Sequence, residues 1–145
     1  MPLWLIYHTD DTFVDNESKA ALSRDITKFY TNLSLPAFYV VVNFIKLNGN
    51  DMWVGGEPRS GKPFVRITID HIAIHVPDDD AIYHRTTARF DELLKPHVAD
   101  KGYSWEFHVD ETERRLWKVN GFIPPAYKSA GEQLWVKENK AVPYE

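Results

Sequence analysis

Hydrophobic positions in this chain fall into two successive sets, each with the same order of periodicities. Leu3-Trp4-Leu5-Ile6-Tyr7-His8 predicts a strand that begins directly after Pro2. Asp10-Asp11-Thr12 is a turn, and Asp15 or Asn16 can cap a helix running to about Leu33, with Glu17 favourable in its first turn. Leu22, Ile26, Phe29 and Leu33 recur at helical spacing along it. Leu35-Pro36 ends the helix, and the aromatic and β-branched run from Ala37 to Ile45 predicts a buried strand.

The second set begins at Phe64, where alternation to Ile74 predicts a strand with Val65, Ile67, Ile69 and Ala73 on one face. Pro77-Asp78-Asp79-Asp80 caps a second helix carried by Ile82, Thr86, Phe90 and Leu93 or Leu94, which Pro96 would kink. Gly102 is a C-cap, Tyr103 to Val109 a strand, and a short helix is expected near Gly131 to Asn139. The chain therefore reads as one α+β domain over residues 1–145: two fused β-α-β units, near 2–50 and 63–110, then an extension over 111–145. A helix that crosses between two strands favours parallel pairing within each unit. The units can share one four-stranded mixed sheet with both helices on one face. The other face then needs cover, which copies of the same chain would supply.

Composition narrows the chemistry. The 145 residues suit one domain, and the net charge of -4, without a basic run, gives no reason to expect nucleic acid or a membrane as partner. Cysteine is absent, which excludes disulfides, thiol catalysis and cysteine metal sites. No long apolar segment or signal-like start is visible, so a cytoplasmic location is expected. Aromatic residues make up 14% of the chain, more than one small core needs, which again points to an interface.

Several motifs carry less than they suggest. Gly56-Glu57-Pro58-Arg59-Ser60-Gly61-Lys62 has phosphate-loop spacing, but Pro63 and a strand follow where Ser or Thr and a helix are required. A turn-rich hairpin connection is the ordinary reading. His71 and His75, in one strand, would lie roughly 13 Å apart, too far to share an ion, so no metal is expected. Asp110 to Arg115 is a charge cluster after a strand, beside the aromatic Trp117. Alternating signs make a solvated turn the ordinary reading, while arginines placed so can clamp a carboxylate. Pro2 is different in kind. With Met1 removed it becomes a secondary amine, and an α-amine titrates at roughly 7.7–8.0, lower still when buried. Such a nitrogen can abstract a proton α to a carbonyl or attack the carbonyl itself.

Met-Pro-Leu-Trp-Leu-Ile-Tyr, the helix, Tyr39-Val40-Val41-Val42-Asn43-Phe44, Trp53-Val54-Gly55-Gly56 and Gly121-Phe122-Ile123-Pro124 together resemble the tautomerase superfamily. The likeness is to its cis-3-chloroacrylic acid dehalogenase-like group, in particular fungal members. It implies a homotrimer of fused β-α-β chains and catalysis by the amino-terminal proline, here Pro2, with no cofactor. By the same resemblance Tyr30 stands where the group has a substrate-binding histidine. The stretch from Asp70 to Pro77 lacks the group's two arginines, and Phe107 and Lys118 replace its water-activating tyrosine and glutamate. The expected activity is proton transfer on a small 2-oxo or unsaturated carboxylic acid, with dehalogenase or hydratase activity weak or lost. Arg66, Arg114, Arg115 and Asn120 are the candidates to hold substrate oxygen, and Tyr30 can donate a hydrogen bond. The alternative is a non-catalytic oligomeric binding protein on the same scaffold.

Overall fold

The computed structural model describes residues 1–145. Its elements run β1 (Leu3–Thr9), α1 (Asn16–Thr31), β2 (Val41–Leu47), β3 (Trp53–Val54), β4 (Glu57–Pro58), β5 (Phe64–His71), α2 (Asp80–Leu94), β6 (Ser104–Glu111) and α3 (Ala130–Glu138). Four strands form one mixed sheet in the order β2-β1-β5-β6. Pairing is parallel within each unit, β1 with β2 and β5 with β6, and antiparallel where β1 meets β5. The two predicted β-α-β units are therefore present and joined edge to edge.

Both helices start where their caps dictate. The Asp15 side chain accepts from Ser18 N, and Asp79 from Ile82 N, each satisfying a donor that the first turn leaves free. The buried stripe of α1 is Leu22, Ile26 and Tyr30, spaced four apart; Phe29 and Leu33, expected on that stripe, flank it half-buried. Phe90 and Leu94 are the buried residues of α2. These side chains meet Trp4, Ile6, Val65, Ile67 and Ile69 on one face of the sheet, all fully buried. Phe90 sits at the centre, with its ring 5.5 Å from that of Trp4, 5.1 Å from Phe29 and 5.9 Å from Phe107. A second aromatic group, Tyr39, Trp117 and Trp135, joins the C-terminal extension to the same core.

The structure corrects several expected boundaries. Ala37–Tyr39 is a 3-10 turn, so β2 begins only at Val41; Pro36 leaves its neighbours free to turn before the ladder to β1 starts. β5 stops at His71 instead of Ile74, because its partner β1 has run out of residues at that end: Leu3 pairs with Asp70. His75 is thus outside the strand. Pro96 does not kink α2, which ends at Leu94 with Lys95 as its C-cap. The phosphate-loop-like stretch is part of a hairpin, with Gly55 and Gly56 both at positive φ, +61° and +82°, as a tight primed turn demands.

The opposite face of the sheet, carrying Leu3, Leu5, Tyr7 and Arg66, is only half-buried within one chain. No helix is long and apolar enough to cross a membrane.

Candidate active site around Pro2

Pro2 precedes β1, is buried, and has its carbonyl held by the Val41 N–H at 3.0 Å. The β1–β5 register brings it beside His71, and both line a cavity of about 110 Å³ between the sheet and the two helices. Most of the wall is apolar: Phe29, Leu33 and Leu35 on the α1 side, Ile72, Ala73 and Ile74 after β5, and Phe90 of α2. The polar members are Tyr30, His71, Thr86 and Arg89.

Tyr30 and His71 form the floor. Trp4 Nε1–H donates to the Tyr30 oxygen at 3.1 Å, and the Tyr30 hydroxyl lies 2.7 Å from His71 Nε2. Indole can only donate, so the phenol proton goes to Nε2 and His71 carries its hydrogen on Nδ1. Burial pushes His71 down to about 4, with Glu111 opposing and the terminal amine adding to the fall. Burial raises the Tyr30 hydroxyl above its ordinary value, with the Trp4 bond pulling the other way. At neutral pH the floor is therefore an uncharged, directional pair. Arg89 stands at the rim, exposed, with its guanidinium 4.7 Å from the centre of the Phe29 ring. Arg89 and His71 were not among the residues expected to hold substrate. Arg89 could have been found from its place one residue before Phe90 on the helix stripe.

Beside Met1 lies a second group. The Met1 amine is pushed down to about 4, first by burial, then by Arg114, with Glu132 opposing. Arg114 donates through Nη2 to the Pro125 carbonyl, and its guanidinium lies 5.3 Å from the centre of the Trp117 ring. Glu132 is fully buried; one oxygen accepts from Lys128 N at 2.7 Å, and burial raises its carboxyl above the usual range.

Of the candidates expected from sequence, Pro2 and Tyr30 thus meet in one cavity, and Arg114 lies outside it, near the Met1 amine. Arg66 points to the opposite face of the sheet, 3.1 Å from Glu106 and 2.5 Å from His108 Nδ1. Strand alternation decides this, since Ile67 beside it faces the helices. Arg115 is 87% exposed and paired with Glu113. Asn120 occupies an exposed turn with Gly121, at φ +49°. None of these three is brought to the cavity. Phe107 stacks on Trp105 with centroids 6.1 Å apart, and Lys118 is exposed. No group of three or more His, Asp or Glu side chains is gathered as for a metal ion.

The sheet order, the proline at its centre and the neutral cavity define a tautomerase-superfamily chain, and comparison with known proteins agrees. Residues 1–140 match the Tautomerase_3 family model, described as "Putative oxalocrotonate tautomerase enzyme", and the chain belongs to that family. RhCC from Rhodococcus jostii RHA1 is 38% identical, with 98% of this chain and 99% of that one aligned at a TM-score of 0.90. A probable enzyme of the thermophilic fungus Aspergillus fumigatus, AU4130/APC7354, is 40% identical at a TM-score of 0.89, covering 99% and 98% of the two chains. N1, of the cis-3-chloroacrylic acid dehalogenase family, shares the fold at 16% identity, a TM-score of 0.63 and coverage of 94% and 97%. A 106-residue stretch is 29% identical to the threonine–tRNA ligase catalytic subunit of Sulfurisphaera tokodaii, but this chain spans only 19% of that protein's length.

Proposed function

We propose that the protein is a cofactor-independent enzyme in which Pro2, freed by removal of Met1, moves a proton on a small 2-oxo or unsaturated carboxylic acid. The observation that carries this reading is the burial of Pro2 at the wall of the cavity, beside Tyr30 and His71. While Met1 is attached, the proline nitrogen is an amide and has no basicity. Once freed, it lies one residue from the place where burial and Arg114 hold the Met1 amine down at about 4. Burial and a nearby cation both favour the neutral form of an amine there, the form that can accept a proton.

The reaction then needs few parts. The neutral nitrogen takes a proton from the carbon beside the 2-oxo group. The electron pair moves onto the oxo oxygen, and the prolinium returns the proton at the other end of the enol system. Tyr30 can turn its one proton from His71 Nε2 to that oxygen as charge develops, and Arg114 supplies a cation near the chain's start. Hydrolytic dehalogenation or hydration also requires an activated water. Phe107 has no proton to exchange and Lys118 is a cation in solvent, so these activities are weak or lost. The half-buried outer face of the sheet, apolar on β1 and charged on β5, supports a homotrimer.

Intact-mass measurement should show the loss of Met1. Ketonisation of phenylenolpyruvate should then fall by about 100-fold or more in Pro2→Ala, the scale of a lost proton-transfer group. Turnover unchanged in that variant would overturn the reading and leave the scaffold as a non-catalytic binding protein.

A further inference from the structure

Two kinds of surface meet the start of the chain: the cavity that Pro2 lines and the polar group beside Met1. The cavity side is apolar apart from its neutral floor, Thr86 and the rim. Ile72, Ala73 and Ile74 form its wall after β5, and its one cation, Arg89, sits exposed at the rim. The other side is polar and unsatisfied. Arg114 Nη1, the Tyr39 hydroxyl and Glu132 Oε1 are all buried and none has a hydrogen-bond partner. Unpaired buried polar atoms cost stability, on the order of 1–3 kcal/mol each, and the two donors among them, Arg114 Nη1 and the Tyr39 hydroxyl, still lack an acceptor.

They gather around Met1. Its amine feels both Arg114 and Glu132, and Tyr39 lies beside Arg114 without forming a well-shaped bond to it. Met1 itself packs against the core. Because Met1 is bonded to the proline nitrogen, the volume it vacates on cleavage must adjoin that nitrogen.

Resting on the reading of Pro2 above, we propose that removal of Met1 opens a carboxylate seat in which Arg114 Nη1 and the Tyr39 hydroxyl hold the acid group of the substrate, while its apolar tail enters the Tyr30–His71 cavity. Substrate would thus lie across Pro2 with its charge toward the C-terminal extension and away from α2. Two donors face one carboxylate: a guanidinium N–H and a phenol O–H. The substrate class that fits is a 2-oxo acid, or its enol, with an aryl or branched alkyl group on C3. A cavity of about 110 Å³ lined by Phe29, Leu33, Ile72 and Phe90 takes such a group and offers little to a second carboxylate.

The test is calorimetric titration of 3-phenylpropionate, and of its neutral amide, into the mature protein, the Arg114→Gln, Tyr39→Phe and Arg89→Gln variants, and a form that keeps Met1 behind an N-terminal extension. The mature protein should bind the carboxylate. Arg114→Gln should weaken it by about 10-fold to 100-fold, the scale of one charge-assisted bond, and bring its affinity down to that of the amide. Tyr39→Phe, which removes a single oxygen and should fold as the parent does, should weaken it several-fold. Arg89→Gln should have less effect than either, and the Met1-retaining form should not bind. Equal affinity in Arg114→Gln and Tyr39→Phe overturns the proposal, as does a larger loss in Arg89→Gln or no binding to the mature protein. The activity of Pro2→Ala reports separately on the underlying reading. If that variant turns over normally while carboxylate binding still depends on Arg114, the proton-transfer role fails and the seat stands.

Discussion

The Tyr30 hydroxyl lies 2.7 Å from His71 Nε2, tying the last turn of the first helix to the end of β5 at the floor of the cavity. The two residues are 41 positions apart and belong to different β-α-β units, so this bond reports on how the units are joined. It also fixes the only histidine in the cavity in one tautomer.

Replacing Tyr30 with Phe keeps the ring and removes that bond. Trp4 Nε1 and His71 Nε2 both lose their partner inside the core. The variant should be about 1–3 kcal/mol less stable by urea unfolding, the usual penalty for orphaned buried polar groups. Ketonisation should slow by about 10-fold or more, as expected for loss of a donor to developing charge. Parental stability in this variant would show that the bond contributes nothing.

His71 makes stability depend on pH with a defined sign. Its folded value is held near 4, against 6.5 for the free side chain. Between those values the unfolded chain binds the proton and the folded chain does not, so stability rises with pH. The contribution is complete above about 6.5 and is lost as the pH falls toward 4. Its ceiling is about 3 kcal/mol. Denaturation of the parent and His71→Gln across this window should show a steeper slope in the parent, the remainder in the variant coming from His8, which burial also lowers.

Phe90→Ala removes the ring that Trp4, Phe29, His71 and Phe107 all pack against. A loss of about 3–5 kcal/mol is expected, a large part of the stability of a domain this size. The same change widens the cavity, so a survivor folded in the cold should accept bulkier acids. Thermal unfolding within about 2 °C of the parent would contradict the central place given to Phe90.

Gly131→Ala tests the scaffold of the polar group behind Pro2. A Cβ there would lie 2.6 Å from Tyr144 Cδ2 and 3.0 Å from Pro125 Cβ. α3, which carries Glu132, can therefore keep its seat only if the tail moves. The variant should lose about 1–3 kcal/mol from overpacking. Free tolerance of Ala, measured by unfolding, would mean that the tail is not held against this helix.

Much of this architecture can be read along the chain. The alternation of β1 and β5, the caps at Asp15 and Asp79 and the C-terminal helix all stand close to where local pattern sets them. Boundaries fail where pairing decides them. β5 ends because β1 has no residue left to pair, and the hydrophobic run Ile72-Ala73-Ile74 then serves as cavity wall. Candidate site residues fail for a related reason. Arg66 and Arg114 look alike in sequence, but strand alternation turns the first to the outer face while the extension folds the second back beside Met1.

What the sequence determined by itself is the β-α-β repeat and a proline at its head, because periodicity, caps and the position of Pro2 are local properties. The tertiary structure decided which side chains surround that proline. Tyr30, His71, Arg89, Arg114 and Glu132 come from five separate segments, and only the antiparallel joining of β1 to β5 and the return of the C-terminal extension bring the first three to the cavity that Pro2 lines and the last two beside Met1. Proximity across such distances in the chain depends on which strand edges pair and which faces are buried together, and no window of sequence contains that information.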